Sequence, residues 1–145
     1  MLLENKKARF NYEITETVEA GMELVGQEVK SLREKHGVLE GSHVVIRGGE
    51  AFLVGATIPP YQPKNAPDYD PERNRRLLLT KKEIAKLSEV EKIRGLTIVP
   101  LKVYNKKNKI KIAIGIARGK KKYDKREDMK RRDTEREIAR DIKVR

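Results

Sequence analysis

Apolar and polar residues alternate near the start of the chain, and this alternation predicts the first strand. The apolar residues fall on even positions: Phe10, Tyr12, Ile14 and Val18. Polar residues fill the odd positions between them, so a strand here would bury one face and expose the other. The sequence therefore predicts a strand over residues 10–18 with one buried face.

A β-hairpin is predicted in the middle of the chain. Two short apolar runs, residues 44–47 and 51–54, are separated by a segment that contains Gly48 and Gly49. Glycine accepts the positive φ angles that a tight hairpin turn needs. We therefore expect two antiparallel strands joined at this Gly-Gly pair.

The clearest hairpin joins residues 96–104 to residues 110–117 through the polar turn 105–109. Its second strand has isoleucine at four alternate positions and small residues between them, so a helix or a second sheet can approach the small face closely. In its first strand the apolar parity switches across Val99 and Pro100, as a β-bulge requires. Strands that bend in this way suit a small closed barrel.

Helices are predicted between the strands. The first covers residues 27–35, where two apolar residues three positions apart face inward and basic residues stay outside. The second begins at Thr80, whose hydroxyl can cap the helix while Glu83 reaches back to it. Ser88 and Glu91 repeat this capping pattern, which predicts that the helix breaks and restarts there.

A long irregular loop is predicted over residues 56–76, which contain five of the six prolines of the chain. Its basic end, residues 73–76, leads into three leucines. Together the elements predict a mainly β fold. We expect an antiparallel, six-stranded, oligonucleotide-binding (OB-like) barrel with about three short helices and a basic C-terminal tail.

Length and charge divide the chain into a domain and a tail. The 145 residues have room for one domain plus a tail, and the net charge of +12 indicates a polyanionic partner. Residues 118–145 carry 13 Lys/Arg and 7 Asp/Glu, which is half of the net charge, with few large apolar residues. Such a segment cannot offset its ordering entropy by burial. We predict a barrel over residues 1–119 and a tail over residues 120–145 that is disordered alone.

Several functional classes are excluded or weakly supported. The chain has no cysteine, which excludes disulfide scaffolds, thiol catalysis and cysteine-ligated metals. It shows no apolar leader or membrane span, so a cytoplasmic location is expected. No motif for a nucleophile, a zinc protease or a nucleotide is found, and no cofactor is expected. One enzymatic alternative stays open, a metal-dependent phosphodiesterase that would use Asp68, Asp70 and Glu72.

Basic residues cluster in three runs, at residues 5–9, 73–76 and 118–122. Clustering at this net charge favours binding to nucleic acid. Aromatic residues number seven and several fall on core positions, so recognition of the shape and phosphates of a folded RNA is favoured over stacking along a single strand. The alternative is a general RNA-binding OB-fold translation factor or cold-shock protein.

The tail has its own charge pattern. Arg132, Arg136 and Arg140 fall at intervals of four residues, so one face of a helix could follow a track of phosphates. Pairs of opposite charge stabilise such a helix by only a few tenths of a kcal/mol each, which is too little for an isolated segment. We predict a helix of about 30 Å that forms on binding in a negatively charged groove. The alternative is a permanently solvated tail that serves solubility.

Short motifs in chain order match a known family. The N-terminal half contains N-K-K-A at residues 5–8, E-A-G at 19–21 and E-V-K-S-L-R at 28–33. The C-terminal half contains R-L-L-L at 76–79, V-P-L at 99–101 and G-K-K-x-x-D-K-R at 119–126. By these motifs, which cover nearly the whole chain, the sequence resembles the SsrA-binding protein family, also called small protein B.

The resemblance implies a non-enzymatic RNA-binding protein that acts with tmRNA in trans-translation, the rescue of stalled ribosomes. It implies that the barrel binds the tRNA-like domain of tmRNA and that the tail enters the vacant mRNA channel near the decoding centre. The expected RNA-binding residues are Asn5, Lys6, Lys7, Arg9, Glu19, Ala20, Gly21, Lys30, Arg75, Arg76, Leu78, Lys120, Lys121 and Lys122. The expected ribosome-contacting tail residues are Tyr123, Asp124, Lys125, Arg126, Lys130, Arg132, Arg136 and Arg140. We expect a monomer that has no membrane partner.

Overall fold

The computed structural model describes residues 1–65 and 67–120. Its elements are β1 (Leu3–Glu4), α1 (Lys6–Asn11), β2 (Tyr12–Met22), α2 (Gly26–Arg33), β3 (His43–Arg47), β4 (Glu50–Val54), a 3-10 turn (Pro63–Asn65), β5 (Arg75–Leu78), α3 (Lys81–Glu91), β6 (Leu96–Lys106) and β7 (Lys109–Gly119). Within these residues no helix is both long and apolar enough to span a membrane. The predicted tail lies outside the described residues from residue 121 onward.

The strands form one antiparallel sheet in the order β1-β6-β7-β2-β5-β4-β3. Strand β3, at one edge, lies close to β6, so the sheet curls towards a barrel that hydrogen bonds do not close. The mainly β, OB-like class is confirmed. Within the described residues the sheet has seven strands where six were predicted. Strand β1 has only two residues, and the sequence R-R-L-L of β5 does not alternate between apolar and polar residues.

Both predicted hairpins are confirmed. Gly48 and Gly49 have φ angles of 58° and 76° and join β3 to β4. The second hairpin is tighter than predicted, because its strands pair as far as Lys106 and Lys109. The turn therefore contains two residues, Lys107 and Asn108, whose φ angles are 50° and 64°.

The first predicted strand is partly wrong. Phe10 belongs to α1, and a bulge in β2 shifts the register between Ile14 and Glu16. Ile14 pairs with Ala117 on one face of the sheet, whereas Val18 pairs with Ile114 on the other. Because one extra residue reverses the alternation, even positions before and after the bulge point to opposite faces.

The core has two parts. The isoleucines of β7 fill the main core inside the curled sheet. A smaller cluster on the opposite face joins Ala8 of α1 to Val99, Leu101 and Ala117. Gly115 lies beside it, where an added Cβ would be 3.0 Å from a methyl group of Ile14. Ala117 of β7 thus packs in one cluster with Ala8 of α1, as the prediction of a closely approaching helix requires, while Gly115 leaves room for Ile14 of the neighbouring strand.

Helix α3 packs against β3 and β6. Thr80 and Glu83 form the predicted capping box of α3. The predicted break at Ser88 is wrong, because α3 continues to Glu91 and packs on the core through Leu87 and Val90. Helix α2 begins one residue earlier than predicted and ends two residues earlier, at Arg33.

Candidate nucleic-acid interface

Most of the predicted RNA-binding residues lie on or beside one face of the sheet. This outer face is the side opposite the main core, and the odd-numbered residues of β7 point to it because the even-numbered isoleucines fill the core. Directly paired residues of neighbouring strands share a face. Glu19 pairs with Ala113, and Gly21 pairs with both Lys111 and Leu78. These β2 and β5 residues therefore also belong to the outer face.

Helix α1 covers one end of the outer face. Lys6, Lys7 and Arg9 of this helix are exposed, and Lys7 lies 3.4 Å from the carboxylate of Glu40. Asn5 is buried, because its amide donates to the Pro100 carbonyl at 2.9 Å while its Oδ1 accepts from the Ala8 N–H at 3.2 Å. Asn5 therefore holds the helix in place.

The described chain ends beside the same helix. The backbone N–H of Lys120 donates to the carbonyl of Asn11 at 2.9 Å, and Gly119 pairs with Tyr12. Lys120 thus lies next to the exposed cations of α1, and the predicted basic runs 5–9 and 118–122 meet at this end. Lys121, Lys122 and the tail residues from Tyr123 to Arg140 lie outside the described residues.

The other end of the outer face is open. It lies roughly 20 Å from the α1 end, which is the length of β2 between Tyr12 and Glu19 at about 3.3 Å per residue. Leu78 is 49% exposed there, although it is a large apolar residue on a strand. A shallow groove beside it is lined by Gly21, Arg33, Lys109 and Lys111. An apolar side chain ringed by cations can contact both a base or sugar and the neighbouring phosphates.

Glu19 is held by two neighbours on β6. Its carboxylate accepts a hydrogen bond from the Tyr104 hydroxyl and another from Lys106 Nζ at 3.2 Å. The hydrogen bonds from Tyr104 and Lys106 lower the pKa of Glu19, so this carboxylate stays ionised in a basic surrounding. A fixed carboxylate can accept hydrogen bonds from base or sugar donors, whereas it repels phosphate.

The hydrogen-bond partner of Glu19, Tyr104, has a raised pKa. Burial, with help from the hydrogen bond to Glu19, raises the pKa of Tyr104 to about 12. The folded protein therefore holds this proton more tightly than the unfolded chain, and we expect stability to fall as pH rises from about 10 to 12. In Glu19→Gln the pKa of Tyr104 moves towards its ordinary value, which NMR titration of ¹³C-labelled tyrosine measures. Glu23→Gln is the matched control. An unchanged pKa of Tyr104 in Glu19→Gln would contradict the hydrogen bond between Tyr104 and Glu19.

Sequence reasoning missed part of this surface. Lys102, Lys109 and Lys111 share the outer face through cross-strand pairing, and Arg33 Nη2 donates to the Asn108 carbonyl at 3.4 Å. The information was present in the sequence. Lys109 and Lys111 alternate with Ile110 and Ile112 at the start of β7, so this part of the strand has one basic face and one apolar face.

Arg75 corrects the predicted RNA-binding set. Its side chain is fully buried, and its Nε donates to the carboxylate of Glu28 at 2.7 Å. A guanidinium in this position cannot reach RNA, so Arg75 is a structural residue. Its neighbour Arg76 points outward and forms ion pairs with Glu23 at 3.2 Å and Glu50 at 3.4 Å.

Other predicted residues fall into different positions. The side chain of Ala20 is buried in the main core, so E-A-G contributes Glu19 and the backbone at Gly21 to the surface. Lys30 is exposed on α2. Two of the three acidic residues of the proline-rich loop form a local turn, in which Asp70 Oδ1 accepts from the Glu72 N–H at 2.9 Å. Among the described residues, no group of three or more His, Asp or Glu side chains is arranged to hold a metal.

Comparison with known proteins identifies the family. The family model "SmpB protein" matches residues 2–144. The SsrA-binding protein of Lactobacillus delbrueckii subsp. bulgaricus is 49% identical over 144 residues, covering 99% of this chain and 94% of that protein. The SsrA-binding protein of Enterococcus hirae is 50% identical over 143 residues, covering 99% of this chain and 93% of that protein.

A solved structure agrees with the sequence comparisons. A chain reported under the words "tmRNA-SmpB: a journey to the center of the bacterial ribosome" superposes with a TM-score of 0.69 at 45% identity. The match covers 83% of this chain and 85% of that one. Sequence and fold therefore agree over most of the described residues, and the chain belongs to the SmpB family.

Proposed function

We propose that this chain binds tmRNA and delivers it to stalled ribosomes in trans-translation. The observation that carries the proposal is the match to proteins named for SsrA binding, which extends over nearly the whole chain at 49–50% sequence identity. The outer face supports it, because cations, one fixed carboxylate and an exposed leucine lie on one continuous side of the sheet. Such a surface recognises the shape and phosphates of a folded RNA.

The tRNA-like domain of tmRNA is the proposed ligand of the outer face. Lys109, Lys111 and Arg33 neutralise phosphates at the open end, while Lys6, Lys7, Arg9 and Lys120 do so at the α1 end. Glu19 and Leu78 contact base or sugar and set the register of the RNA. Asn5, Ala20 and Arg75 act indirectly, because their buried side chains hold the elements that carry the contacts.

The tail completes the function in this proposal. Residues 120–145 form a basic segment that enters the vacant mRNA channel and folds as a helix near the decoding centre. Lys120, the first residue of this segment, lies beside α1, so the tail begins at the α1 end of the outer face. The protein then acts as a monomeric, non-enzymatic and cofactor-free binding protein, and action on the ribosome places it in the cytoplasm.

Competitive binding across a salt series tests the RNA preference. We expect the protein to prefer a tRNA-like-domain transcript over an elongator tRNA and a mixed-sequence single strand. The preference should persist as salt rises, because contacts to base, sugar and shape do not depend on counterion release. Equal affinities that fall along one salt slope would contradict the proposal and would favour a general RNA-binding translation factor.

A matched pair of lysine variants locates the surface in the same assay. Lys111→Ala removes an outer-face cation, so it should weaken binding and reduce the salt slope by about one. Lys92→Ala is the control, since Lys92 lies at the end of α3 and pairs with Glu89 at 3.2 Å. If both variants bind like the parent protein, the outer face is not the RNA-binding surface.

A further inference from the structure

One exposed aromatic ring lies outside the surface described so far. Tyr61, in the proline-rich loop, is 41% exposed, and Lys30 Nζ of α2 lies 5.7 Å from the centre of its ring. A cation at this distance above an aromatic face is attracted by the ring electrons. The pair therefore presents a flat ring and a positive charge together at the surface.

The loop that carries Tyr61 is tied to α2 on both sides of the ring. The Ser31 hydroxyl donates to the Pro59 carbonyl at 2.5 Å, and the N–H of Gln62 donates to Gln27 Oε1 at 2.9 Å. These bonds fix the backbone at positions 59 and 62 against the helix. The ring consequently has a set position before any ligand binds, which lowers the entropic cost of using it in recognition.

The ring is continuous with the open end of the outer face. Lys30 and Arg33 are three residues apart on α2 and so lie on neighbouring positions of one helix side. Arg33 in turn contacts the tip of the β6–β7 hairpin and lines the groove beside Leu78. A row of cations thus leads from the outer face to Tyr61.

We propose that Tyr61, with Lys30 beside it, is a stacking site for one unpaired base of the RNA bound on the outer face. The inference rests on the proposed function and adds to it a contact that does not depend on phosphate. Every base has a π-face that can stack on a tyrosine ring, and a neighbouring ammonium group can pair with the adjoining phosphate. An unpaired base in a loop of the tRNA-like domain is the ligand of this site.

The test uses the absence of tryptophan from the chain. In Tyr61→Trp the new indole is the sole tryptophan, and it keeps a ring that can stack. We expect its fluorescence to be quenched when a tRNA-like-domain transcript saturates the protein. Ile93→Trp is the matched control, because Ile93 is similarly exposed, at 52%, but follows α3. Its emission should stay unchanged.

Affinity provides the second readout. Tyr61→Ala should weaken binding by about tenfold with an unchanged salt slope, whereas Tyr61→Phe should bind within about twofold of the parent. If Tyr61→Trp binds the transcript without quenching and Tyr61→Ala keeps full affinity, the stacking site is wrong while the proposed function stands. If the parent protein shows no preference for the transcript, the proposed function fails instead. Quenching by ribosomes but not by the transcript would also overturn the site.

Discussion

Removal of residues 122–145 should leave binding to the tRNA-like domain intact and abolish ribosome rescue. The truncation removes 10 Lys/Arg and 7 Asp/Glu, so the remaining chain keeps +9 of the +12 charge. The described part of the outer face, with its open end and its α1 end, lies within residues 1–120. Binding to the transcript, measured by titration, therefore depends mainly on residues that the truncation retains, and Lys122 is the one predicted RNA-binding residue that it removes. Rescue, measured by tagging of a nascent chain on a stalled ribosome in vitro, is expected to be lost, because the proposed function assigns entry into the mRNA channel to the tail.

A scrambled tail is the control for charge and solubility. It has the composition of residues 122–145 but loses the four-residue spacing of Arg132, Arg136 and Arg140. If the tail inserts as a helix, the scrambled protein should bind the transcript and still fail in rescue. Full rescue by the scrambled tail would support a solvated, solubilising segment and contradict insertion. Loss of transcript binding on truncation would contradict the division between barrel and tail.

The parts of the fold that local chemistry determines could be predicted from sequence. The positive φ angles of Gly48 and Gly49 follow from a Gly-Gly pair between two apolar runs. The capping box at Thr80 uses two side chains three residues apart. The bulge in β6 was visible because Pro100 coincides with a switch in apolar parity. Each of these features depends on residues that are close in sequence.

The parts that depend on distant residues could not be predicted in this way. The bulge of β2 places Ile14 and Val18 on opposite faces, yet both occupy even positions. Their faces are decided by pairing with β7, about 100 residues further along the chain. Arg75 belongs to the basic run 73–76, which predicts a position that can bind nucleic acid. Its partner Glu28 is 47 residues away, on α2.

The candidate site was predicted best where side chains protrude and worst where backbone pairing brings strands together. Lys6, Lys7 and Lys120 belong to two of the basic runs and lie at the same end of the outer face. The groove at the other end combines three elements that are distant in sequence: Arg33 of α2, Leu78 of β5 and Lys111 of β7. Sequence alone gave no reason to group these three residues, because their proximity follows from strand order.

The buried Glu28 carboxylate holds the proline-rich loop to the barrel. Arg73 Nη2 donates to it at 2.5 Å, Arg75 Nε at 2.7 Å and the Tyr69 hydroxyl at 3.0 Å. The guanidinium of Arg75 also donates to the carbonyls of Ala56 and Pro71, at 2.7 and 2.9 Å. Both ends of the loop thus converge on one ion pair from which water is excluded.

Arg75→Met should therefore destabilise the fold strongly. It keeps most of the side-chain volume but leaves Glu28 without one of its cations. Removing one partner of a buried ion pair costs roughly 3–5 kcal/mol of the free energy of unfolding. Arg76→Ala is the matched control on the next residue, and its half-exposed ion pairs contribute at most about 1 kcal/mol. Urea unfolding compares the two variants, and similar losses in both would contradict the role of the buried pair.

Acid unfolding distinguishes this ion pair from simple packing. Burial raises the pKa of Glu28, but the hydrogen bonds from Arg73, the Val25 N–H and Arg75 outweigh it, so the net pKa lies below the ordinary 4.5. A carboxyl group with a lowered pKa stabilises the folded state at pH values above its ordinary pKa. That stabilisation is lost as the pH falls through the pKa of the folded state. In Glu28→Gln this contribution is absent at every pH. The parent should therefore be more stable than Glu28→Gln at pH 7, and the difference should shrink as pH falls below about 4.5. If the stability difference between the parent and Glu28→Gln stayed constant down to pH 3, the packing of the Glu28 side chain, and not its charge, would account for its contribution to stability.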